Sequence, residues 1–480
     1  MKKCQMICMM VLLLGSMFVW AQQSDTTQAP SDAQGTVPPA AFGQENPPVL
    51  VNDNPPISSL DQPSLEPNIQ PRSMLLGGVE VSESLDSNLG SDARPTLRGV
   101  TRGLGGLTMQ RLWSRYQLAA AYVGGAAFYN ANGQGFQQLH DLQAQQTLLW
   151  RRGQFNIRDS FSYLPEGSFG FGSYGGEGGF QLGLGGIGTG MGVMGTGLGG
   201  QFGAFGSQQY GSFGQSPRYT NVVLGDIVEN LSPRSSITAV GSYGFVHFTD
   251  STVGFINSQQ AGAQAGYNYT LNPRNQIAVV YGFQAFHFPG DAGADNFSSQ
   301  VAQFMFGHRV SGRMDFVVGA GPQWTRIQDP ATGTTTSLSG SGRVSMRYRF
   351  RKATTALSYE RFDTNGSGFL AGAQSDIVRA SIGRPLGRHY RVRADVGYVH
   401  NKRLQTATLG VNAESVDYLF AGFAVHRQFG YNWGAFLAYQ WNDQILDSSV
   451  CTVGQPCNRI AVRHVLTFGV AWHFRPIRID

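Results

Sequence analysis

Residues 390–398 read Tyr-Arg-Val-Arg-Ala-Asp-Val-Gly-Tyr, and their pattern sets the architecture of most of the chain. Every second residue is apolar or aromatic, and the residues between them are charged or small. A period of two indicates a β-strand with one apolar and one polar face. The same alternation recurs at 314–321, 343–350 and 465–474, so we predict an all-β protein from about Met74 onward.

Short turn signals separate these strands at a nearly constant spacing. Six of the turns carry an arginine every 37 to 40 residues: Arg234, Arg274, Arg313, Arg351, Arg388 and Arg427. Longer polar or glycine-rich segments, such as 289–293 and 363–366, lie between them. Alternating short turns and long loops is typical of a transmembrane antiparallel up-and-down barrel, with the turns on the periplasmic side. Eight turns give 16 strands, and residues 74–86 and the final strand raise the prediction to 18. A wall of 16 strands is the alternative if the first hairpin lies outside it.

The composition argues against a soluble protein and against a helical membrane protein. Charged residues make up 14% of the chain and glycine 64 of 480 residues, against usual values of ~25% and ~7%. No later segment has the 18 consecutive apolar residues that predict a membrane-spanning helix. The net charge of +5 comes without a basic tract, so nucleic acid is not an expected partner. In lipid a sheet can leave no edge unpaired, which favours a closed barrel.

The first 72 residues differ from the rest. Residues 1–21 combine Lys2 and Lys3 with an apolar run and end at Ala21, the pattern of a cleaved secretory signal peptide. Residues 22–72 hold ten of the 21 prolines and six acidic residues, with one basic residue. We therefore predict a disordered, extended periplasmic linker there. Residues 73–480 are predicted to form the barrel.

A glycine-rich insert at 167–217 interrupts the turn spacing, with 21 glycines in 51 positions. It contains two G-x-G-x-x-G matches, but no βαβ unit surrounds them, so nucleotide binding is not expected. Two interpretations stay open. The insert is either a flexible surface loop or a loop folded into the lumen that narrows a channel.

Arginines on the polar strand faces are the main candidates for function. Placing an arginine toward lipid costs ~2–4 kcal/mol at the bilayer midplane, which favours the lumen. A row of like charges would give a mild anion preference. Alternatively, the arginines form paired ladders with nearby acids and produce no net selectivity. The predicted lumen-lining residues are Arg343, Arg347, Arg349, Glu360, Arg379, Arg391, Arg393, Asp395 and Arg463.

Cysteine and catalytic signals are sparse. Cys451 and Cys457 bracket five residues of the last long loop. An exported protein meets an oxidising compartment, so we predict a disulfide between them, with a two-thiol metal site as the weaker alternative. No H-E-x-x-H or G-x-S-x-G motif occurs. We therefore predict no enzyme activity, no catalytic residue, no resident metal and no cofactor.

Residues 467–474, Thr-Phe-Gly-Val-Ala-Trp-His-Phe, resemble the C-terminal assembly signal of bacterial outer-membrane barrels in Gly469, Trp472 and Phe474. The chain is similar to porins and to uncharacterised large barrels of Gram-negative bacteria. The resemblance implies a location in the outer membrane, with lipid and the barrel-assembly machinery as partners, and leaves homo-oligomers open. The tail 475–480 departs from the pattern, because the signal usually ends the chain.

A barrel of 16–18 strands encloses an aqueous channel unless something fills it. We therefore expect passive diffusion of small hydrophilic solutes. Two other functions stay open: a conduit that exports a polysaccharide or another polymer, and a surface or adhesion protein whose barrel anchors its loops.

Overall fold

Alternating side chains produce 18 long antiparallel strands, each hydrogen-bonded to the next along the chain. The first strand also pairs with the eighteenth, from Gly78 with His473 to Asp86 with Val465, and this pairing closes the sheet into a barrel. The computed structural model describes residues 56–58, 73–88, 96–130, 135–167, 214–249, 255–290, 295–329, 333–366, 370–405, 414–447 and 460–479. The predicted all-β barrel of 18 strands is confirmed.

The strands are numbered in chain order. They are β1 Met74–Asp86, β2 Arg98–Leu112, β3 Tyr116–Tyr129, β4 Phe136–Trp150, β5 Gly153–Gly167, β6 Gly214–Ser232, β7 Ser235–Phe248, β8 Ser258–Asn272, β9 Asn275–His287, β10 Asn296–Ser311, β11 Met314–Asp329, β12 Gly333–Arg349, β13 Thr354–Thr364, β14 Ala373–Leu386, β15 Tyr390–Arg403, β16 Ser415–Phe429, β17 Trp433–Leu446 and β18 Ile460–His473. A two-residue strand, β19 Ile477–Arg478, follows.

The predicted short turns join the strands at one end of the barrel, which we call the turn side. Polar side chains fix several of these turns. Ser232 Oγ accepts hydrogen bonds from the backbone N–H groups of Arg234 and Ser235 at 3.2 and 3.0 Å. Asn272 Oδ1 accepts one from the N–H of Arg274 at 2.9 Å. These bonds mimic a backbone turn, which explains why serine and asparagine precede the turn arginines.

The outer face of the barrel is apolar. Val81 is 61% exposed and Phe304 is 56% exposed, although both lie within strands. Exposed aromatic residues at the turn side form a belt: Trp113, Trp150, Tyr390, Tyr431 and Trp433. An apolar band with aromatic residues at its edge matches the lipid-facing surface of an outer-membrane barrel. These features place the barrel in an outer membrane.

Within the described ranges, no helix is long and apolar enough to span a bilayer.

The C-terminal tail extends the closing seam. The Phe474 N–H donates to the Gly77 carbonyl at 3.1 Å. Further along, β19 pairs Ile477 with Leu75 and Arg478 with Met74. The tail beyond the signal-like residues therefore continues along β1 rather than leaving the barrel.

Several sequence features lie wholly or partly outside the described residues. These are the signal peptide at 1–21, most of the linker at 22–72, the cysteines Cys451 and Cys457, and residues 168–213 of the insert. The boundary of the insert needs one correction. Residues 214–217 belong to β6, because its pairing with β5 continues as far as Gly167 with Gly214.

Candidate channel lumen

The candidate site is the inner wall of the barrel, where ion pairs link neighbouring strands. Arg347 on β12 places Nη2 2.5 Å from Oδ2 of Asp315 on β11. Arg343, four residues earlier on the same face, places Nε 3.7 Å from Oε1 of Glu360 on β13. All four side chains are largely shielded from solvent. Two steps of an ion-pair ladder therefore lie side by side on β11–β13.

The ladder continues along the wall and at the closing seam. Arg379 on β14 places Nη2 3.3 Å from Oδ2 of Asp395 on β15. Arg463 on β18 places Nη2 2.5 Å from Oδ2 of Asp86 on β1. Each of these arginines thus has an acidic partner on the adjacent strand. This is the paired arrangement that the sequence left as one of two interpretations.

The remaining predicted arginines lie nearer the turn side. Arg349 continues the inward face of β12 and is exposed at its end. Arg391 and Arg393 are half-buried on the inward face of β15, and Arg391 is in register with His426 of β16. These residues continue the strand faces that carry the ion pairs, and the role of the nine residues as lumen lining stays a prediction.

A second group of polar inward residues was not predicted. Arg158 on β5 places Nη2 4.0 Å from Oδ1 of Asp226 on β6. Asn156 Nδ2 donates to the other carboxylate oxygen of Asp226 at 3.1 Å. Arg102 Nη1 donates to Ser84 Oγ at 2.5 Å across β2 and β1. Strand alternation in the sequence could have identified these arginines as inward, because each lies between two outward-facing residues.

At the end opposite the turn side, which we call the loop side, β13 leaves the wall and turns into the barrel. β12 and β13 pair only between residues 342–349 and 354–361. Beyond that point Phe362, Asp363 and Thr364 are all buried. The first half of β12 meanwhile pairs only with β11. The chain after β13 is therefore directed toward the lumen.

Hydrogen bonds link this segment to distant strands. Asp363 Oδ2 accepts a hydrogen bond from Thr325 Oγ1 on β11 at 2.5 Å. Asn365 Nδ2 donates to Ser258 Oγ on β8 at 2.8 Å. β8 lies five strands from β13 in the wall. We call the described residues 362–366 and 370–372 the inward loop, and these bonds place it across part of the loop-side half of the lumen.

Apolar contacts hold the inward loop in place. Leu370 and Phe362 belong to a buried cluster with residues of β14–β16: Ala373, Ile377, Val399, Val416, Tyr418 and Phe420. Gly372, with φ of +82°, lies against Phe297 of β10. A Cβ at Gly372 would lie 2.5 Å from the Phe297 ring. The sequence predicts an ordinary polar loop at 363–366. From the sequence, only the glycine-rich insert was a candidate for a constriction.

A further segment contacts the inner wall near the turn side. Ile57 and Ser58 lie against β7–β11, and Ser58 is 2% exposed. The proline-rich composition around them carries no signal for this contact. Over the described ranges, no group of three or more His, Cys, Asp or Glu side chains is arranged to hold a metal ion.

Comparisons with known proteins give structural likeness only. No family model and no curated protein matches the sequence. Among solved structures, OccK2 (OpdF) of Pseudomonas aeruginosa is 8% identical, with a TM-score of 0.41, over 83% of this chain and 98% of that one. A BenF-like porin from Pseudomonas fluorescens Pf-5 is 11% identical, with a TM-score of 0.41, over 84% and 99%. The FrpB iron transporter from Neisseria meningitidis (F3-3 variant) is 8% identical, with a TM-score of 0.37, over 83% and 82%. The strand pairing of this chain defines its barrel independently of these likenesses.

Proposed function

We propose that the chain is an outer-membrane channel through which small hydrophilic solutes diffuse. The observation that carries the proposal is a closed 18-strand barrel with an apolar exterior and an inner wall of ion pairs and amides. An inner wall buried against protein alone would favour apolar side chains, because burying paired charges is costly. The charged side chains on the inner wall are instead paired across neighbouring strands.

The second part of the proposal is a mild preference for anions. Six candidate arginines lie on the inward faces of β12, β14 and β15, and Arg347, Arg343 and Arg379 among them pair with Asp315, Glu360 and Asp395. Pairing reduces the field of each arginine in the ladder, so a strong preference is not expected. We base the preference on these six inward arginines taken together.

The inward loop favours small solutes over a polymer. Its bonds from Asp363 to Thr325 and from Asn365 to Ser258 cross part of the lumen on the loop side. An extended polysaccharide would need a wider passage than a small solute. A surface or adhesion role is the remaining candidate, and a barrel that never conducts would favour it.

Liposome swelling tests this function. Purified barrel in liposomes should admit small neutral sugars and exclude progressively larger ones. Small organic anions should enter faster than cations of equal size. No swelling with any solute, from protein shown to be folded, would contradict the channel. Equal rates for anions and cations would contradict only the charge preference.

A further inference from the structure

Ser58 is held against the inner wall by side chains of β7 and β8. Its backbone N–H donates to Asn268 Oδ1 at 3.1 Å, and Asn268 Nδ2 donates to Ser58 Oγ at 2.5 Å. Gln264 Nε2 donates to the Ser58 carbonyl at 3.2 Å. Ser58 Oγ also lies 2.6 Å from Thr238 Oγ1. Three wall side chains thus satisfy the donor and acceptor groups of one residue, which is the mark of a specific contact.

Ile57 fills an adjacent apolar hollow. It packs on the inward residues Ala278, Val280 and Met305 together with Val317 of β11. Polar inward residues flank this hollow, among them Gln276 on β9 and Ser299 on β10. An isoleucine in this hollow removes apolar surface from water on both sides of the contact.

Two wall glycines make room for the segment. A Cβ at Gly266 on β8 would lie 2.7 Å from both Cβ and Oγ of Ser58. A Cβ at Gly307 on β10 would lie 3.0 Å from Ile57 Cγ2. At these distances a side chain at either position displaces its neighbour. The wall is therefore shaped to accept this pair of residues.

The contact lies near the turn-side mouth. Thr238 is three residues from the start of β7 at Ser235, and Asn268 is four residues from the end of β8 at Asn272. No strand pairing joins residues 56–58 to the wall over the ranges that the structure describes. Side-chain bonds and one apolar contact hold the segment, so it can detach without breaking the barrel.

We propose that Ile57 and Ser58 form a gate that obstructs the turn-side end of the lumen when docked and detaches when the channel opens. The docking surface, formed by Thr238, Gln264, Gly266, Asn268 and the Ile57 hollow, is the seat. This proposal rests on the proposed channel function. The docked segment belongs to the same chain, so the gate opens when the segment leaves the seat.

A disulfide lock tests the gate in the full chain. Ser58→Cys with Thr238→Cys, in a chain whose native cysteines are replaced by serine, joins the segment to the seat across atoms 2.6 Å apart. Oxidised protein should show smaller or rarer current steps in a planar bilayer, and a reductant should restore them. The matched control is Ser232→Cys with Ser235→Cys, where the two hydroxyls lie 2.7 Å apart across the exposed turn between β6 and β7. The control disulfide should leave the current unchanged.

A second pair of variants removes the docked state without crosslinking. Gly266→Ala places a methyl group against Ser58 and should raise the fraction of time that the channel is open. Gly241→Ala on β7 is the control, because nothing lies within 4 Å of its added Cβ and the seat stays intact. Labelling of a cysteine at position 58 should be slow in the otherwise native barrel and faster with Gly266→Ala.

The results of these experiments distinguish failure of the gate from failure of the channel function. Equal currents from oxidised and reduced lock variants, with the disulfide formed, overturn the gate and leave the channel standing. Absence of current from every form, with the protein folded and position 58 protected from labelling, overturns the channel and the gate with it. Fast labelling at position 58 in the native barrel overturns docking itself.

Discussion

Arg463 and Asp86 form an ion pair across the seam at which the last wall strand meets the first. Arg463 Nη2 and Nε lie 2.5 and 2.9 Å from the same carboxylate oxygen of Asp86. Both side chains are almost fully buried, at 2% and 1% exposure. Charged hydrogen bonds are stronger than neutral ones, and this pair spans 377 residues of chain. It therefore stabilises the closure of the barrel.

Asp86→Asn should destabilise the barrel. It keeps the shape of the side chain but leaves Arg463 buried without its carboxylate partner. Breaking a buried ion pair costs about 3–5 kcal/mol. Denaturant titration of the folded band on a semi-native gel measures the effect. The control is Arg351→Gln at an exposed turn, which should change stability by less than ~0.5 kcal/mol. Equal stability of the two variants would show that the seam does not depend on the pair.

Gly469 has a structural reason to be glycine in addition to its resemblance to an assembly signal. A Cβ there would lie 2.5 Å from the Phe436 ring and 2.8 Å from Ser82 Cβ. Gly469→Val should therefore lower refolding yield in detergent without any assembly machinery, with an overpacking cost of about 1–3 kcal/mol. Val470→Ala, on the exposed lipid face of the same strand, should refold normally. Normal refolding of Gly469→Val, with loss of assembly only in cells, would favour a role in recognition alone.

The inward loop should limit conductance. Asn365→Ala removes the hydrogen bond to Ser258, and loss of about 1 kcal/mol would shift the docked-to-free ratio about fivefold. Mean single-channel conductance should rise as a result. Thr334→Ala in the exposed outer part of β12 is the control. A conductance unchanged from that of the native barrel would show that the loop does not narrow the path.

Arg391 and Arg393 should contribute to the charge preference. Their joint replacement by glutamine should move the reversal potential in a salt gradient toward cation preference, because two positive charges leave the inner wall. Arg384→Gln is the matched control, since this exposed residue near the same turn lies on the outer face of β14. An identical reversal potential in all three proteins would mean that paired charges cancel in the lumen.

The sequence predicts the wall better than it predicts what lies inside the wall. The alternation at 390–398 and the regularly spaced turn arginines are local and repeat, so they indicate the strands, the turns and the inward face of Arg343 and Arg347. The contact of Ser58 with Asn268 joins residues 210 positions apart. It uses an ordinary serine and asparagine, with no period or motif. The inward loop could not be predicted for the same reason, because its polar residues at 363–366 resemble those of an ordinary surface loop.

Single-channel recording of the purified, folded protein in a planar bilayer tests the central claim most directly. Discrete open steps are expected, with infrequent opening in the native chain and more frequent opening with Gly266→Ala. A folded barrel that gives no steps, either natively or with Gly266→Ala, would contradict the assignment of the chain as a channel.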